Sequence, residues 1–184
     1  KFAAEKNNEA VRTMRAIEEN SKGYFRLRRL RKTGKLAREL QGLYGESCDV
    51  YTGLQCSKRV FLKSIASRAN GIDSIVLATH GFAANKIPGI MEPFIALTMV
   101  PPGIDGILTM SEVAGLKIKT DIAALTACQT GVGIELAGEG VLSMGRAFQC
   151  AGARSVIMSL WPVVEDSSVL LMKGFFRHLR QGKC

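Results

Sequence analysis

The sequence contains no apolar run of the roughly 18 to 20 residues that a membrane-spanning helix needs. Its N-terminal stretch is charged where a secretory signal peptide would have an apolar core. These absences argue against a membrane protein, so we expect a soluble chain with no membrane partner. Because the sequence begins at Lys1 and stops directly after an amphipathic stretch, we also expect a piece of a longer protein.

Cysteine is sparse, and its spacing suits neither bridges nor metal. The five cysteines are an odd number, and none of them forms a Cys-x-x-Cys pair. A disulfide framework uses an even set of cysteines, and a zinc site uses closely spaced ones. We therefore expect reduced thiols in a cytoplasmic setting.

The glycine patterns that bind nucleotides are also missing. Gly131 and Gly133 lack the third glycine of GxGxxG, because position 136 is Leu, and no Gly-Lys-Ser/Thr sequence occurs. The Lys-Thr pairs at Lys32 and Lys119 follow no glycine-rich loop. A nucleotide-binding domain is therefore disfavoured.

What the sequence does have is an alternation of apolar strands with amphipathic helices. Its 184 residues, 47% of them hydrophobic, suit one domain with a sizeable core. Consecutive apolar residues predict central strands at 74–79, 122–126 and 155–159. Periodicity and capping residues predict helices at 3–19, 35–43, after Ser57, from Ser111, at 141–151 and at 166–180. A short strand is expected at 49–52, a hairpin from 94–99 and 107–109, and a loop at 129–139. The pattern predicts an α/β fold in which a mainly parallel sheet lies between helix layers.

Positive charge is unevenly distributed along the chain. The formal net charge is +9, and residues 26–35 alone carry six basic side chains. Such a cluster could bind nucleic acid, an acidic partner or another domain, but no aromatic residues are interleaved with it. We prefer a solvated helix face or linker, so nucleic acid is expected only as an indirect partner. Residues 1–34 are assigned to a helical, basic segment that leads to a missing upstream module, and residues 35–184 to the main domain.

A histidine and a cysteine end the first two central strands. Ligands bind beyond the carboxyl ends of parallel strands, which is where His80 and Cys128 lie. If the strands are neighbours, roughly 4.8 Å apart, imidazole and thiol can meet and the thiol can be activated. The amides of Gly81 and Cys128 could then form an oxyanion hole. Each residue alone is better explained as a turn histidine or a small buried hydrophobe, but the pair favours catalysis.

Several longer motifs occur in a fixed order along most of the chain. They are LATHG, DGILTMSEVAGL, LTACQTG, GEGVLSMGRAF and AGARSVIMSLWPV, followed by the closing helix. Together they resemble the CHAT domain, a caspase-like domain found with tetratricopeptide repeats, over roughly residues 30–180. The resemblance implies a caspase-like three-layer α/β/α sandwich, with separase, caspases, gingipains and legumain as relatives. It implies peptide-bond hydrolysis with His80 as general base or acid and Cys128 as nucleophile, without metal or organic cofactor. It further suggests a bacterial regulatory or defence protease, cutting a protein or peptide substrate under the control of repeats or a sensor domain.

The loop after Trp161 resembles the SLW-x-V-x-D pattern of separase, whose aspartate faces a basic P1 side chain. Asp166 falls near that position, so the resemblance implies cleavage after Arg or Lys, with Glu165 as the alternative carboxylate. Asp166 could equally cap the last helix. We interpret Trp161 as a pocket wall or core aromatic and Ser159 as lining the same cleft.

A function of another class is also open. A CHAT-type interaction module would keep the fold and bind peptides or partner proteins without cleaving them. The presence of both His80 and Cys128 counts against it. A latent site is nevertheless compatible with the long segment 82–106, which follows the histidine and could gate the cleft.

Overall fold

The computed structural model describes residues 29–68, 70–87, 89–99, 106–126, 140–159 and 163–183, together with the short strands at 17–19, 25–27 and 134–136. Its strands are β1 (Ile17–Glu19), β2 (Phe25–Leu27), β3 (Ile72–Leu77), β4 (His80–Phe82), β5 (Phe94–Ala96), β6 (Ile107–Thr109), β7 (Thr120–Leu125), β8 (Ile134–Leu136), β9 (Gly140–Leu142) and β10 (Ala153–Met158). Its helices are α1 (Thr33–Tyr44), α2 (Lys58–Ala66), α3 (Met110–Ala114), α4 (Met144–Cys150) and α5 (Glu165–Arg180).

The chain divides into two compact units, Lys1–Cys48 with Pro162–Cys184, and Asp49–Trp161. The first unit contains the antiparallel pair β1–β2 and the helices α1 and α5. α1 packs against α5, burying Leu36 and Leu40 of α1 and Met172 and Phe176 of α5. The Tyr44 hydroxyl donates to the Phe176 carbonyl oxygen at 3.0 Å and its ring meets the Phe176 ring edge-on. Amphipathic spacing on both helices therefore produces this core.

The second unit is built on a parallel sheet in the order β10–β7–β3. The register aligns Leu77, Leu125 and Met158 across the three strands. One face of the sheet forms the core with the apolar sides of α2, α3 and α4, in which Val113 and Phe148 are fully buried. The apolar run of the middle strand β7 is buried at Ala123, Ala124 and Leu125, as a central parallel strand requires, whereas the outer strands β3 and β10 are only partly buried. The chain is an α/β protein with a parallel central sheet, as predicted.

A second sheet in this unit is antiparallel, in the order β4–β5–β6. Its middle strand β5 is buried at all three residues. The predicted hairpin is confirmed, because Phe94 lies opposite Thr109 and Ala96 opposite Ile107. The predicted cap is also confirmed, since the Ser57 hydroxyl accepts a hydrogen bond from the Val60 N–H at the start of α2.

Three local predictions are wrong. A helix is expected over 3–19, but its last three residues form strand β1. Residues 3–16 lie outside the described residues. β1 pairs antiparallel with β2, with Ile17 opposite Leu27 and Glu18 opposite Arg26, so the backbone of 17–19 is in a strand ladder and not in a helix. The loop expected over 129–139 contains β8, which pairs antiparallel with β9.

The strand expected at 49–52 does not form. A strand needs a hydrogen-bonding partner, and none of the described strands pairs with this stretch. Asp49 instead forms an ion pair with Arg68, beyond the end of α2. Among the described residues, no helix is both long and apolar enough to cross a membrane.

Candidate active site at the edge of the parallel sheet

The two strands that lead to the predicted catalytic pair are neighbours in the sheet. β3 pairs in parallel with β7, and Leu77 lies opposite Leu125 at their carboxyl ends. One residue further on, the Thr126 N–H donates to the Leu77 carbonyl oxygen at 3.1 Å. The Thr126 hydroxyl donates to the same oxygen at 3.4 Å. The two chain segments that follow β3 and β7 therefore leave the sheet side by side. The sequence alone left open whether these two strands are neighbours.

His80 begins β4, directly after the chain has left β3. It is half-buried and lies opposite Ala96 of β5. Its imidazole stacks on the Phe82 ring, with centroids 6.0 Å apart and planes 26° from parallel. Phe82 in turn stacks on Phe94 at 4.9 Å. The preceding Thr79 hydroxyl donates to the Ala96 carbonyl oxygen at 2.5 Å. The histidine is thus held by a strand ladder and an aromatic stack, and is not on a free turn.

Gly81, the proposed oxyanion-hole donor, is buried in the same strand. It lies opposite Ile95, which has no exposed surface. Side chains alternate along a strand, so His80 and Phe82 share one face of β4 while Gly81 belongs to the other. This strand therefore fixes the backbone from the histidine onward.

The other predicted site residues of this unit divide between described and undescribed positions. Ser159 is half-buried and follows Met158, whose partner in β7 is Leu125. Ser159 therefore lies at the same sheet edge as Thr126. Cys128 and Trp161 lie outside the described residues.

Glu165 and Asp166 belong to the first unit, where both contact the start of α1. Asp166 forms an ion pair with the Lys32 ammonium. A Glu165 carboxylate oxygen accepts from the backbone N–H groups of Lys32 and, at 3.2 Å, of Thr33. α1 has no side-chain cap of its own and no acidic residue in its first turn, so Glu165 supplies both from another helix. The alternative that Asp166 caps α5 is wrong, because the N-cap of α5 is Val164.

A buried lysine that sequence reasoning missed connects the helices to the antiparallel sheet. Lys58 is only 7% exposed, and its ammonium donates to the Ile107 carbonyl oxygen at 2.9 Å and to the Glu112 carboxylate. Glu112 also completes a capping box with Thr109 at the start of α3. Burial alone would raise the pKa of Glu112, but the hydrogen bonds from Lys58 and Thr109 outweigh it and hold that pKa below its usual value. No local pattern marks Lys58, because its acceptors are about fifty residues away in the sequence.

The thiols in the described part of the chain differ in accessibility. Cys150 is exposed at the end of α4. Cys56 is partly buried, and burial raises the pKa of its thiol. Within the described residues, no group of three or more His, Cys, Asp and Glu side chains is arranged to hold a metal ion.

Comparison with known proteins assigns the family. The CHAT domain family matches residues 3–184, nearly the entire chain. The chain belongs to the CHAT domain family. The resemblance drawn from its motifs is thereby confirmed.

Two curated relatives of this CHAT domain are tetratricopeptide repeat proteins. Human tetratricopeptide repeat protein 28 is 32% identical over 82 residues, which is 45% of this chain and 3% of that protein. Its mouse counterpart is 29% identical over 82 residues, with the same shares of both chains. The aligned region thus spans only a small fraction of these relatives, and their link with tetratricopeptide repeats agrees with the predicted association.

Proposed function

We propose that this CHAT domain is a cysteine endopeptidase whose catalytic pair is His80 and Cys128. The observation that carries the proposal is the hydrogen bond between the Thr126 N–H and the Leu77 carbonyl oxygen at the ends of β7 and β3. His80 follows Leu77 by three residues and Cys128 follows Thr126 by two. At about 3.3–3.6 Å per extended residue, both side chains start within a short reach of one common point.

The proposed chemistry divides the work between a nucleophile and a base. Cys128 attacks the scissile carbonyl carbon as a thiolate, and His80 first accepts the thiol proton and then donates it to the leaving amine. The amides of Gly81 and Cys128 stabilise the negative charge on the carbonyl oxygen. Water then hydrolyses the thioester. The stack of His80 on Phe82 restricts the imidazole, which favours a preorganised base.

A basic P1 residue is the proposed specificity, with Asp166 or Glu165 as its carboxylate partner. Asp166 is the better candidate, because Glu165 already accepts two backbone N–H groups of α1. The current partner of Asp166 is Lys32, and the pair is more than half exposed. An exposed pair of this kind is worth little, so a substrate lysine or arginine could replace Lys32 at small cost. Trp161 and Ser159 are proposed as walls of the same cleft.

Covalent labelling tests the nucleophile. An acyloxymethyl ketone with arginine at P1 should label the protein in a Cys150→Ser background, which removes the exposed thiol among the cysteines that the structure describes. Cys128→Ala should abolish the labelling, while Cys56→Ala should leave it unchanged. His80→Ala should slow it by about 100-fold or more, since general bases typically contribute that much. Labelling of Cys128→Ala at the rate of its parent would refute the assignment.

Peptide hydrolysis tests the specificity. Fluorogenic peptides ending in Arg or Lys should be cut faster than the matched Leu peptide. Asp166→Asn should remove this preference, and Asp121→Asn, an exposed carboxylate paired with Arg154, serves as the matched control. An Arg preference that survives Asp166→Asn and disappears in Glu165→Gln would assign the role to Glu165.

The second candidate is a latent CHAT module that binds peptides or partner proteins without cleavage. The observation favouring it is that the curated relatives are named for their tetratricopeptide repeats, which in those proteins accompany the matched region. Probe labelling of Cys128 without hydrolysis of any peptide would favour this reading. We also propose that residues 1–34 form a separate basic segment, and that the protein acts in the cytoplasm of a bacterium.

A further inference from the structure

An open groove runs between α1 and α5 within the first unit. Its volume is about 440 Å³, which is large enough for several side chains of a ligand and too large for a single ion. Two helical stripes line it. Asp166, Val169, Leu170 and Lys173 of α5 follow the i, i+3, i+4, i+7 spacing of one helix face. Lys35, Arg38 and Glu39 of α1 do the same, preceded by Arg31 and Lys32.

The charges of this groove do not balance. Its five cations face two carboxylates, which leaves three positive charges. Asp166 pairs with Lys32, and one oxygen of Glu39 accepts from Lys173 at 2.9 Å, whereas the other Glu39 oxygen is buried without a hydrogen-bond partner among the described residues. The hydrogen bond from Lys173 lowers the pKa of Glu39, so this carboxyl group stays ionised. Arg31, Lys35 and Arg38 form no ion pair with any carboxylate in the described part of the chain. Their surplus is a local attraction for anions.

These cations are not explained by the stability of α1. The N-terminus of a helix carries partial positive charge, so basic residues in its first turn are unfavourable. α1 nevertheless has Lys32 at its N-cap and Lys35 in its first turn, and the compensation that the described residues provide there comes from Glu165 and Asp166 of α5. An anionic ligand in the groove would relieve the repulsion that Lys35 adds.

The α5 side of the groove places two apolar residues, Val169 and Leu170, between Asp166 and Lys173. Leu170 has 72% of its surface accessible although it sits among the cations. A large exposed apolar side chain beside a basic stripe suits a polypeptide ligand better than nucleic acid. The phosphates of a nucleic acid would contact the cations and make no use of the leucine.

We infer that this groove binds an acidic segment of a partner protein, with an apolar side chain of that segment placed on Leu170. Charge complementarity comes from Arg31, Lys35 and Arg38, and the apolar contact fixes the register of the segment along α5. The inference goes beyond the proposed peptidase function, because its ligand carries no Arg or Lys, although Asp166 lines both this groove and the proposed P1 site. The inference gives Arg31, Lys32 and Lys35, which belong to the basic cluster at residues 26–35, a role in binding.

Fluorescence anisotropy with a labelled peptide tests the inference. The peptide contains a Leu-Leu pair flanked by Glu and Asp and lacks Arg and Lys, so the proposed peptidase specificity does not act on it. We expect saturable binding that weakens steadily as salt is raised. Arg38→Glu should weaken it by at least about tenfold, which corresponds to 1.4 kcal/mol. Lys117→Glu, an exposed lysine in the other unit, should change it less than twofold.

The apolar contact has its own matched pair of variants. Leu170→Ala should weaken binding by about fivefold, a partial loss of the energy of burying a leucine. Leu171→Ala should have no effect, because Leu171 is similarly exposed at 66% but does not line the groove. Equal effects of the two leucine variants, or of the two charge reversals, would overturn the inference. The inference would also be overturned if a single-stranded oligonucleotide of the same charge as the peptide bound more tightly than the peptide and its affinity did not change in Leu170→Ala.

Discussion

Replacing Lys58 with methionine should destabilise the protein by about 2 kcal/mol, because the ammonium makes two charge-assisted hydrogen bonds, each worth about 1.5–3 kcal/mol. Methionine keeps an unbranched apolar stem of similar length, so the packing of the side chain is largely preserved. The lost bonds go to the Ile107 carbonyl oxygen at 2.9 Å and to the Glu112 carboxylate. The Lys58 side chain is 9% exposed.

Two effects reduce the loss below the sum of the bonds. The folded protein no longer bears the cost of removing the Lys58 ammonium from water. Glu112 is 43% exposed, so water replaces the lysine at its carboxylate and screens what remains. The expected loss is therefore smaller than the roughly 3–5 kcal/mol of a fully buried pair with one partner removed.

Urea denaturation at two pH values measures both the size and the origin of the effect. With a slope of about 2 kcal/mol per molar urea, the midpoint of Lys58→Met should fall by about 1 M at pH 6. The pKa of Glu112 is lowered in the folded state, so its stabilisation is complete above its ordinary value of about 4.3. This stabilisation is lost as the pH falls through the lowered pKa. The difference in the free energy of unfolding between wild type and Lys58→Met should therefore narrow towards pH 3. The part that remains there comes from the hydrogen bond to the Ile107 carbonyl oxygen.

Lys63 provides the control, since it lies on the same helix α2 but is exposed. Lys63→Met should change the free energy of unfolding by less than about 0.5 kcal/mol at either pH. Equal effects of the two lysine variants, or a gap for Lys58→Met that does not depend on pH, would refute the reasoning.

Two further predictions concern a glycine and a pair of thiols. Gly152→Ala should cost about 3 kcal/mol or more in a thermal unfolding experiment, because φ is +113° and a Cβ would collide with the Ile118 carbonyl oxygen. Gly174→Ala, whose Cβ would meet no atom within 4 Å, should stabilise α5 by up to about 1 kcal/mol, and a loss there equal to that of Gly152→Ala would contradict this account. Cys56 should react with iodoacetamide at least about tenfold more slowly than Cys150 at pH 8, since burial raises the pKa of the Cys56 thiol. Peptide mass spectrometry gives the two rates, and equal rates would show that Cys56 is accessible.

The elements that follow from short-range patterns could be predicted from the sequence. Each of the three strands of the parallel sheet contains a short apolar run, at 75–77, 122–125 and 156–158, which is typical of a buried strand. The cap of α2 depends on Ser57 and Val60, which are three residues apart. The end of β7 at Leu125, one residue from the predicted end, follows from the same kind of run. Such features are decided within one window of sequence.

Features that depend on distant partners could not be predicted in this way. Ile17–Glu19 has a helical pattern, and only its pairing with β2 makes it a strand. The carboxylate that caps α1 comes from Glu165, more than 130 residues away. The sequence also predicted one strand that runs to residue 79 and ends at His80. Instead, β3 ends at Leu77 and the chain enters β4 of a second sheet at His80. Each of these outcomes is a tertiary contact that overrides local propensity.

This second sheet changes how the candidate site can be controlled. His80 belongs to the antiparallel ladder β4–β5–β6, whereas the strand that leads to Cys128 belongs to the parallel sheet. The two sheets join between Leu77 and His80 through only two residues. A partner that shifts β5 or β6 would therefore move the imidazole relative to the end of β7 without disturbing the strand before the cysteine. Lys58 and Glu112 hold β6 and α3 in place, so this pair opposes such a shift. If the dyad is correct, regulation through the antiparallel sheet requires only a small displacement, because proton transfer depends on hydrogen-bond distance.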